Sequence, residues 1–357
     1  MTIAVEGPVL ALPDGWTTRP PVQGDVGALG ALQAQEKQAV LGISSVDEDT
    51  VRAFVTGLGS WTRRQLVVVD SGGAVKGWSS VHDRASGRTD IRVYVDRGLP
   101  ADVGDLVAGQ LYFWCSSVAA DVAASERGEA RTELESDIYA DDATQIRWLQ
   151  AAGLTYSRTW LQMSRPVDPR EADGVFPATR EGVVIRRVAG HPDGSPVGAE
   201  LRAVHQVLEE SFEDHFNSYR EAFGEFVQRL REDPGHRWDH WWIAIVDVDG
   251  QPTPGGALVS TELPPDEHGV AGTYVEYIGV HRVARGRGVA KGLLYAVIAD
   301  SAERGRGRVG LEVDADSPTQ ADGLYLSMGW VTKYRTQTWS RDIDTTLNAS
   351  PAVAPGR

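Results

Sequence analysis

The stretch Tyr274-Val275-Glu276-Tyr277-Ile278-Gly279-Val280-His281-Arg282-Val283-Ala284-Arg285-Gly286-Arg287-Gly288-Val289-Ala290-Lys291-Gly292-Leu293-Leu294 decides the reading of this chain. Its first residues are apolar and β-prone, which predicts a strand. A short basic turn follows, then apolar residues at helical spacing. Gly286 and Gly288 can take positive φ at little cost. The first turn of the helix leaves backbone N–H groups without intrahelical partners, aimed into the turn. The helix dipole and Arg282, Arg285 and Arg287 add positive potential there. Strand, turn and helix together predict a pyrophosphate cradle made mostly of backbone.

Two familiar phosphate motifs fit worse. A dinucleotide-binding turn needs Gly-x-Gly-x-x-Gly, with an acidic residue about 20 positions on. Here Lys291 stands in the third glycine position. A P-loop needs Gly-x-x-x-x-Gly-Lys-Ser/Thr, and the sequence has no such string. The motif Arg285-x-x-Gly288-x-Ala290 instead resembles the acyl-CoA-binding turn of the GCN5-related N-acetyltransferase (GNAT) family. A second family pattern supports the resemblance. Leu324-Tyr325-Leu326-Ser327-Met328-Gly329-Trp330 is similar to Leu-Tyr-x-x-x-Gly-Phe, with Trp330 in the aromatic place.

The chain has 357 residues, 41% hydrophobic and 24% charged, with a formal net charge of −15. That length predicts two domains and that composition a globular protein. Nothing resembles a secretory leader or a run of about 18 apolar residues, so no membrane association is expected. Cys115 is the only cysteine. An intrachain disulfide and a multi-cysteine zinc site are excluded, no metal is called for, and a reducing cytoplasm is the expected setting. The acidic balance speaks against nucleic acid as a partner. One basic cleft on an acidic surface would guide a polyanion such as coenzyme A to one place. Monomer and homodimer both remain open.

The chain also repeats itself. The block ending in Ala152-Gly153-Leu154 aligns with the one ending in Met328-Gly329-Trp330, an offset of 329 − 153 = 176 residues. Residues 67–69 and 75–81 predict a hairpin. Residues 242–248 and 257–261, turning through Asp249-Gly250, predict its counterpart. Residues 91–95 and 275–280 supply the next strands, 106–124 and 288–303 the next helices. The fold class expected is α/β: two tandem GNAT-like domains, each a mixed sheet flanked by helices. The expected boundaries are residues 1–165 for a degenerate domain, 166–179 for a linker, 180–344 for a catalytic domain and 345–357 for a disordered tail. In the first half the basic turn becomes Arg97-Gly98-Leu99-Pro100-Ala101-Asp102-Val103-Gly104-Asp105. Asp102 and Asp105 then stand where phosphates would, and carboxylates repel them.

What the resemblance implies is N-acyl transfer from acetyl-CoA or another acyl-CoA to a primary amine, by direct attack. The cofactor-binding set would be Ile278, Gly279 and Val280 on the strand, with Arg285, Gly286, Arg287, Gly288, Val289 and Ala290 on the turn. The strand splays from its neighbour in the family, and Gly279 suits a bulge there. Tyr325 is the expected general acid for the departing sulfur; its counterpart in the first half is Leu149. Glu276 is the expected general base, two residues before Ile278 and so on its face by alternation. His281, His215 and Asp214 are alternatives to it. His215, Asp214 and Trp241 would line the acceptor site. Ser317-Pro318 starts the tyrosine helix where Asn is common in the family. The tandem layout is similar to that of the mycothiol synthases, without an acceptor-specific signature. A carrier-protein-bound donor and a non-catalytic CoA-sensing module are the other readings left open.

Overall fold

A computed structural model of the chain describes residues 7–84, 87–173, 175–212, 221–316 and 321–344. In chain order the first elements are β1 (Thr17–Arg19), α1 (Val26–Leu41), α2 (Glu48–Val55), β2 (Arg63–Val69), β3 (Val75–Asp83), β4 (Arg88–Val95), α3 (Ala101–Val122), β5 (Arg131–Tyr139), α4 (Ala143–Ala151) and β6 (Thr155–Pro166). A second series repeats the plan: β7 (Val183–Arg187), α5 (Gly198–Phe212), α6 (Phe223–Arg231), β8 (His236–Val248), β9 (Gln251–Leu263), β10 (Gly272–Val280), α7 (Val289–Glu303), β11 (Arg308–Asp314), α8 (Ala321–Ser327) and β12 (Val331–Asp344). Local chemistry places the ends. Asp142 caps α4 by accepting from the N–H groups of Thr144 and Gln145. Asp249 and Gly250 take φ 53° and 78° and close the β8–β9 hairpin.

The chain divides into two compact units, and they differ from the contiguous blocks that the repeat predicts. Met1–Trp160 with Arg335–Arg357 makes one; Leu161–Tyr334 makes the other. Strand pairing is the reason. Residues 336–344 of β12 run antiparallel to 131–139 of β5, and Trp339 is buried in the core formed by α3, β4 and β5. In the other unit β6 lies beside β11, with Met163 buried among α7 side chains. Residues 166–179 also differ from a free linker. Phe176 stacks on Tyr295 of α7 with centroids 4.5 Å apart.

In the second unit the strands run β11-β10-β9-β8-β7 from β6 outward. One face carries α7, over a core of Leu293, Leu294, Val297, Leu258 and Val275. The other carries α5 and α6, over Val204, Leu208, Phe226, Trp241 and Val259.

Candidate active site

Strand β10 is the spine of the site. It pairs in parallel with β11 only from Gly272–Arg308 to Val275–Leu311. It continues against β9 as far as Val280–Gly256. Past Val275 the edge of β10 that faced β11 has therefore lost its partner. The backbone of Ile278, Gly279 and Val280 lies along that divergence, as the sequence expected. A strand edge with free backbone groups can grip an extended amide-bearing chain.

The irregularity in the ladder falls at Glu276, not at Gly279. Val275 stands opposite Ser260 and Tyr277 opposite Val259, so Glu276 is the extra residue. Gly279 is in register with Ala257. It is small for another reason: a Cβ there would come within 2.9 Å of the Ser211 Cβ and 3.0 Å of the Leu208 Cδ2 on α5. The bulge also breaks the alternation. Val275 and Ile278 both pack towards α7, whereas Tyr277 packs towards α6. Glu276 accepts from the Thr261 hydroxyl at 3.0 Å, on the face that also holds Tyr277. It is therefore turned away from Ile278, contrary to simple alternation.

Burial pushes the Glu276 carboxyl up to about 7, with the nearby Asp233 carboxylate adding to the shift. Thr261 and Arg229 act in the opposite direction. Arg229 is itself held by Glu221, with contacts of 2.9 and 2.5 Å, and donates to the Tyr277 hydroxyl at 2.7 Å. A carboxyl titrating near neutrality is suited to general-base work.

The turn after β10 has the expected build. Gly286 and Gly288 sit at φ 76° and 79°. Gly288 caps α7 with no side chain on the first-turn N–H groups. Among the described residues, no hydrogen bond is made by the N–H of Gly286, Gly288, Val289 or Ala290. Ala284 and Val289 are buried and anchor the turn, while Arg285 is exposed on it. Arg287 has a structural duty, donating to the Asp247 carbonyl at 2.5 Å. Sequence reasoning missed Arg180, which donates to the Gly286 carbonyl at 2.7 Å and lies alongside Gly288. These donors fit a pyrophosphate.

Tyr325 is 6% exposed and meets Trp330 edge-on, with centroids 6.0 Å apart. It belongs to the same buried cluster that Ile278 and Val280 pack against. Burial pushes its phenol up to about 12, so the proton stays on it at neutral pH.

The other expected residues fare differently. Trp241 is fully buried, packs on Phe226 and donates to the His236 ring at 3.2 Å. It is a core residue, not an acceptor-site lining. His281 lies 3.4 Å from Glu210, its Nδ1 accepting from the Val283 N–H. Asp214, His215, Ser317 and Pro318 lie outside the described residues.

Residues 201–330 match the sequence model of the Acetyltransferase (GNAT) family. The second unit is a GNAT domain. The whole chain is similar to a GCN5-related N-acetyltransferase from Sphaerobacter thermophilus, at TM-score 0.70 and 23% identity, over 94% of this chain and 98% of that one. A tandem GNAT protein from the clavulanic acid biosynthesis pathway is similar at TM-score 0.62 and 16% identity, over 92% and 98%. Likeness at these identities is one of fold, and it extends the tandem GNAT-like layout across both halves. No curated protein matches the sequence. Among the described residues, no helix is long and apolar enough to cross a membrane.

The first unit keeps the GNAT-like divergence and fills it. Strands β4 and β5 pair only from Arg88–Glu133 to Asp90–Glu135. Beyond that, Arg92 reaches from β4 to the Asp137 carbonyl at 2.5 Å and its carboxylate at 3.0 Å. Gln145 of α4 donates to the Val93 carbonyl at 2.9 Å and accepts from Tyr112. The expected acidic turn is engaged too: Asp105 binds Arg147 and the Trp148 indole.

Proposed function

We propose that this chain transfers an acyl group, acetyl in the simplest case, from acyl-CoA to the primary amine of a small molecule, using the second unit alone. The observation that carries this reading is the parting of β10 from β11. The N-terminal cradle of α7 lies just beyond the end of β10, and Glu276 and Tyr325 stand on its two sides. The turn from Arg285 to Ala290, with Arg180, would hold the pyrophosphate. The β10 edge at 278–280 would hold the pantetheine arm. An acyl-CoA bound there would supply the activated thioester carbonyl.

The acceptor attacks as the neutral amine, and Glu276 takes the proton that its nitrogen loses as the amide forms. The amine nitrogen forms a bond to the carbonyl carbon, and the carbon–sulfur bond breaks. Tyr325 gives its proton to the departing sulfur and recovers one from water, while Glu276 returns its proton to water. Bond and proton counts close on one amide and one free thiol. Backbone donors along β10 offset charge developing on the carbonyl oxygen. Arg92 and Gln145 support an idle first unit, because they satisfy the backbone groups that a cofactor would need.

Calorimetric titration of the full chain with acetyl-CoA tests this. The expected stoichiometry is one. A value of two would show that the first unit binds as well. Absence of binding, with turnover from an acylated carrier protein, would move the donor to that carrier.

A further inference from the structure

His281 is the joint between β10 and the turn that opens α7. Its backbone makes two ties. The N–H donates to the Gly255 carbonyl at 3.0 Å, and the carbonyl accepts from the Ala284 N–H at 2.9 Å. Its ring makes two more. Nδ1 accepts from the Val283 N–H at 3.4 Å, so the side chain caps the single turn Arg282–Ala284. Nε2 lies 3.4 Å from one oxygen of the Glu210 carboxylate on α5. Glu210 is itself held, because Gln206 donates to its other oxygen at 2.8 Å. The next residue, Ser211, stands against Gly279, so the packing of α5 on β10 is what brings Glu210 to the ring.

The two ring contacts select one tautomer. A ring nitrogen that accepts a backbone N–H carries no proton, so the ring proton sits on Nε2, the side that faces Glu210. In that state both nitrogens are engaged, and no lone pair is left to take a proton from an amine. What the ring fixes is the path of the chain into the turn. Ala284 closes the capped segment and is fully buried. Gly286 and Gly288, the two residues with positive φ, follow directly and lead into α7.

Building on the acyl-CoA reading of this site, we propose that His281 is the positioning residue of the cradle. Its ring, set by Glu210, caps the Val283 N–H and so fixes where the N–H groups of Gly286, Gly288, Val289 and Ala290 meet the donor's phosphates. It moves no proton in the reaction.

The test is calorimetric titration of full-length protein with coenzyme A, with the melting temperature of each variant taken without ligand. His281→Ala should weaken binding about fivefold, the usual worth of a side-chain cap. His281→Asn should stay within about twofold of wild type, because an Asn oxygen caps from the same place. Glu210→Ala removes a side chain that is 40% exposed. It should weaken binding about threefold, as for one ordinary hydrogen bond, at an unchanged melting temperature. Glu210→Gln should bind as wild type, since its amide oxygen still accepts from Nε2–H. In the His281→Asn background Glu210→Ala should have no further effect, because only histidine has a tautomer to set. Affinity unchanged by His281→Ala, or a Glu210→Ala loss of equal size in both backgrounds, would overturn the proposal and leave the acyl-CoA reading standing. If His281→Ala does not fold, the Glu210 variants decide, and equal affinity in both overturns it. If the wild-type protein does not bind coenzyme A, both readings fall.

Discussion

The reactivity expected of Glu276 comes from its place as the extra residue of a bulge. A carboxylate in a regular rung would point to one face at a fixed height. Here it leans towards Thr261 in a buried, acid-rich setting that lifts it to about 7. The sign for catalysis follows: the base works only when deprotonated. The log of kcat/KM should climb with slope one up to about pH 7 and level off above it. Glu276→Gln should remove that limb and lower turnover by about 10²- to 10⁴-fold, the usual worth of a general base. A pH profile unchanged in this variant would assign the base elsewhere. Tyr325→Phe keeps the ring that packs on Trp330 and deletes only the proton. Turnover should fall at least tenfold, as expected for loss of a general acid, while acetyl-CoA affinity stays close to wild type. Unchanged turnover would leave Tyr325 as packing. The sequence flagged Glu276 as a carboxylate in an apolar strand, and the resemblance to the GNAT family flagged Tyr325.

At the scale of elements, the cradle depends on how closely α7 sits on the sheet. Gly256 on β9 makes room for it. A Cβ on Gly256 would lie 2.4 Å from the Val289 Cγ1 and 3.2 Å from the Leu293 Cδ1. Gly256→Ala must therefore push the start of α7 outward, at a cost of about 1–3 kcal/mol for overpacking. Because Val289 begins the helix whose N–H groups form the cradle, acetyl-CoA affinity should fall along with the melting temperature. Calorimetry and thermal unfolding together check this, and loss of stability with affinity intact would separate the helix from the ligand. The β10 turn and the α7 helix were legible because local rules govern them: glycine permits positive φ and apolar spacing gives the helix. Gly279 was misread, since nothing local distinguishes a bulge glycine from one that leaves room for a neighbouring helix.

For the whole molecule, the strand allocation makes a prediction that contiguous domains would not. Trp339 lies near the end of the chain, yet it is buried in the first unit, with β12 paired to β5. Trp339→Ala should cost about 3–5 kcal/mol, as for large aromatic truncations. Hydrogen exchange should quicken in β4 and β5, not in β9 and β10. Faster exchange confined to 161–334 would contradict the allocation.

The sequence by itself determined that two similar α/β halves exist, that one carries a basic glycine turn, and which tyrosine stands near it. The halves and the turn are matters of composition, periodicity and turn chemistry, written locally, and the tyrosine is what the family resemblance implied. Tertiary structure alone decided which unit receives each terminal strand, because both strands suit either sheet and only long-range pairing chooses between them. It also put Gln162 against Glu312, and Arg92 and Gln145 into the first unit's divergence. Those placements join residues up to 150 positions apart, and no local pattern records them.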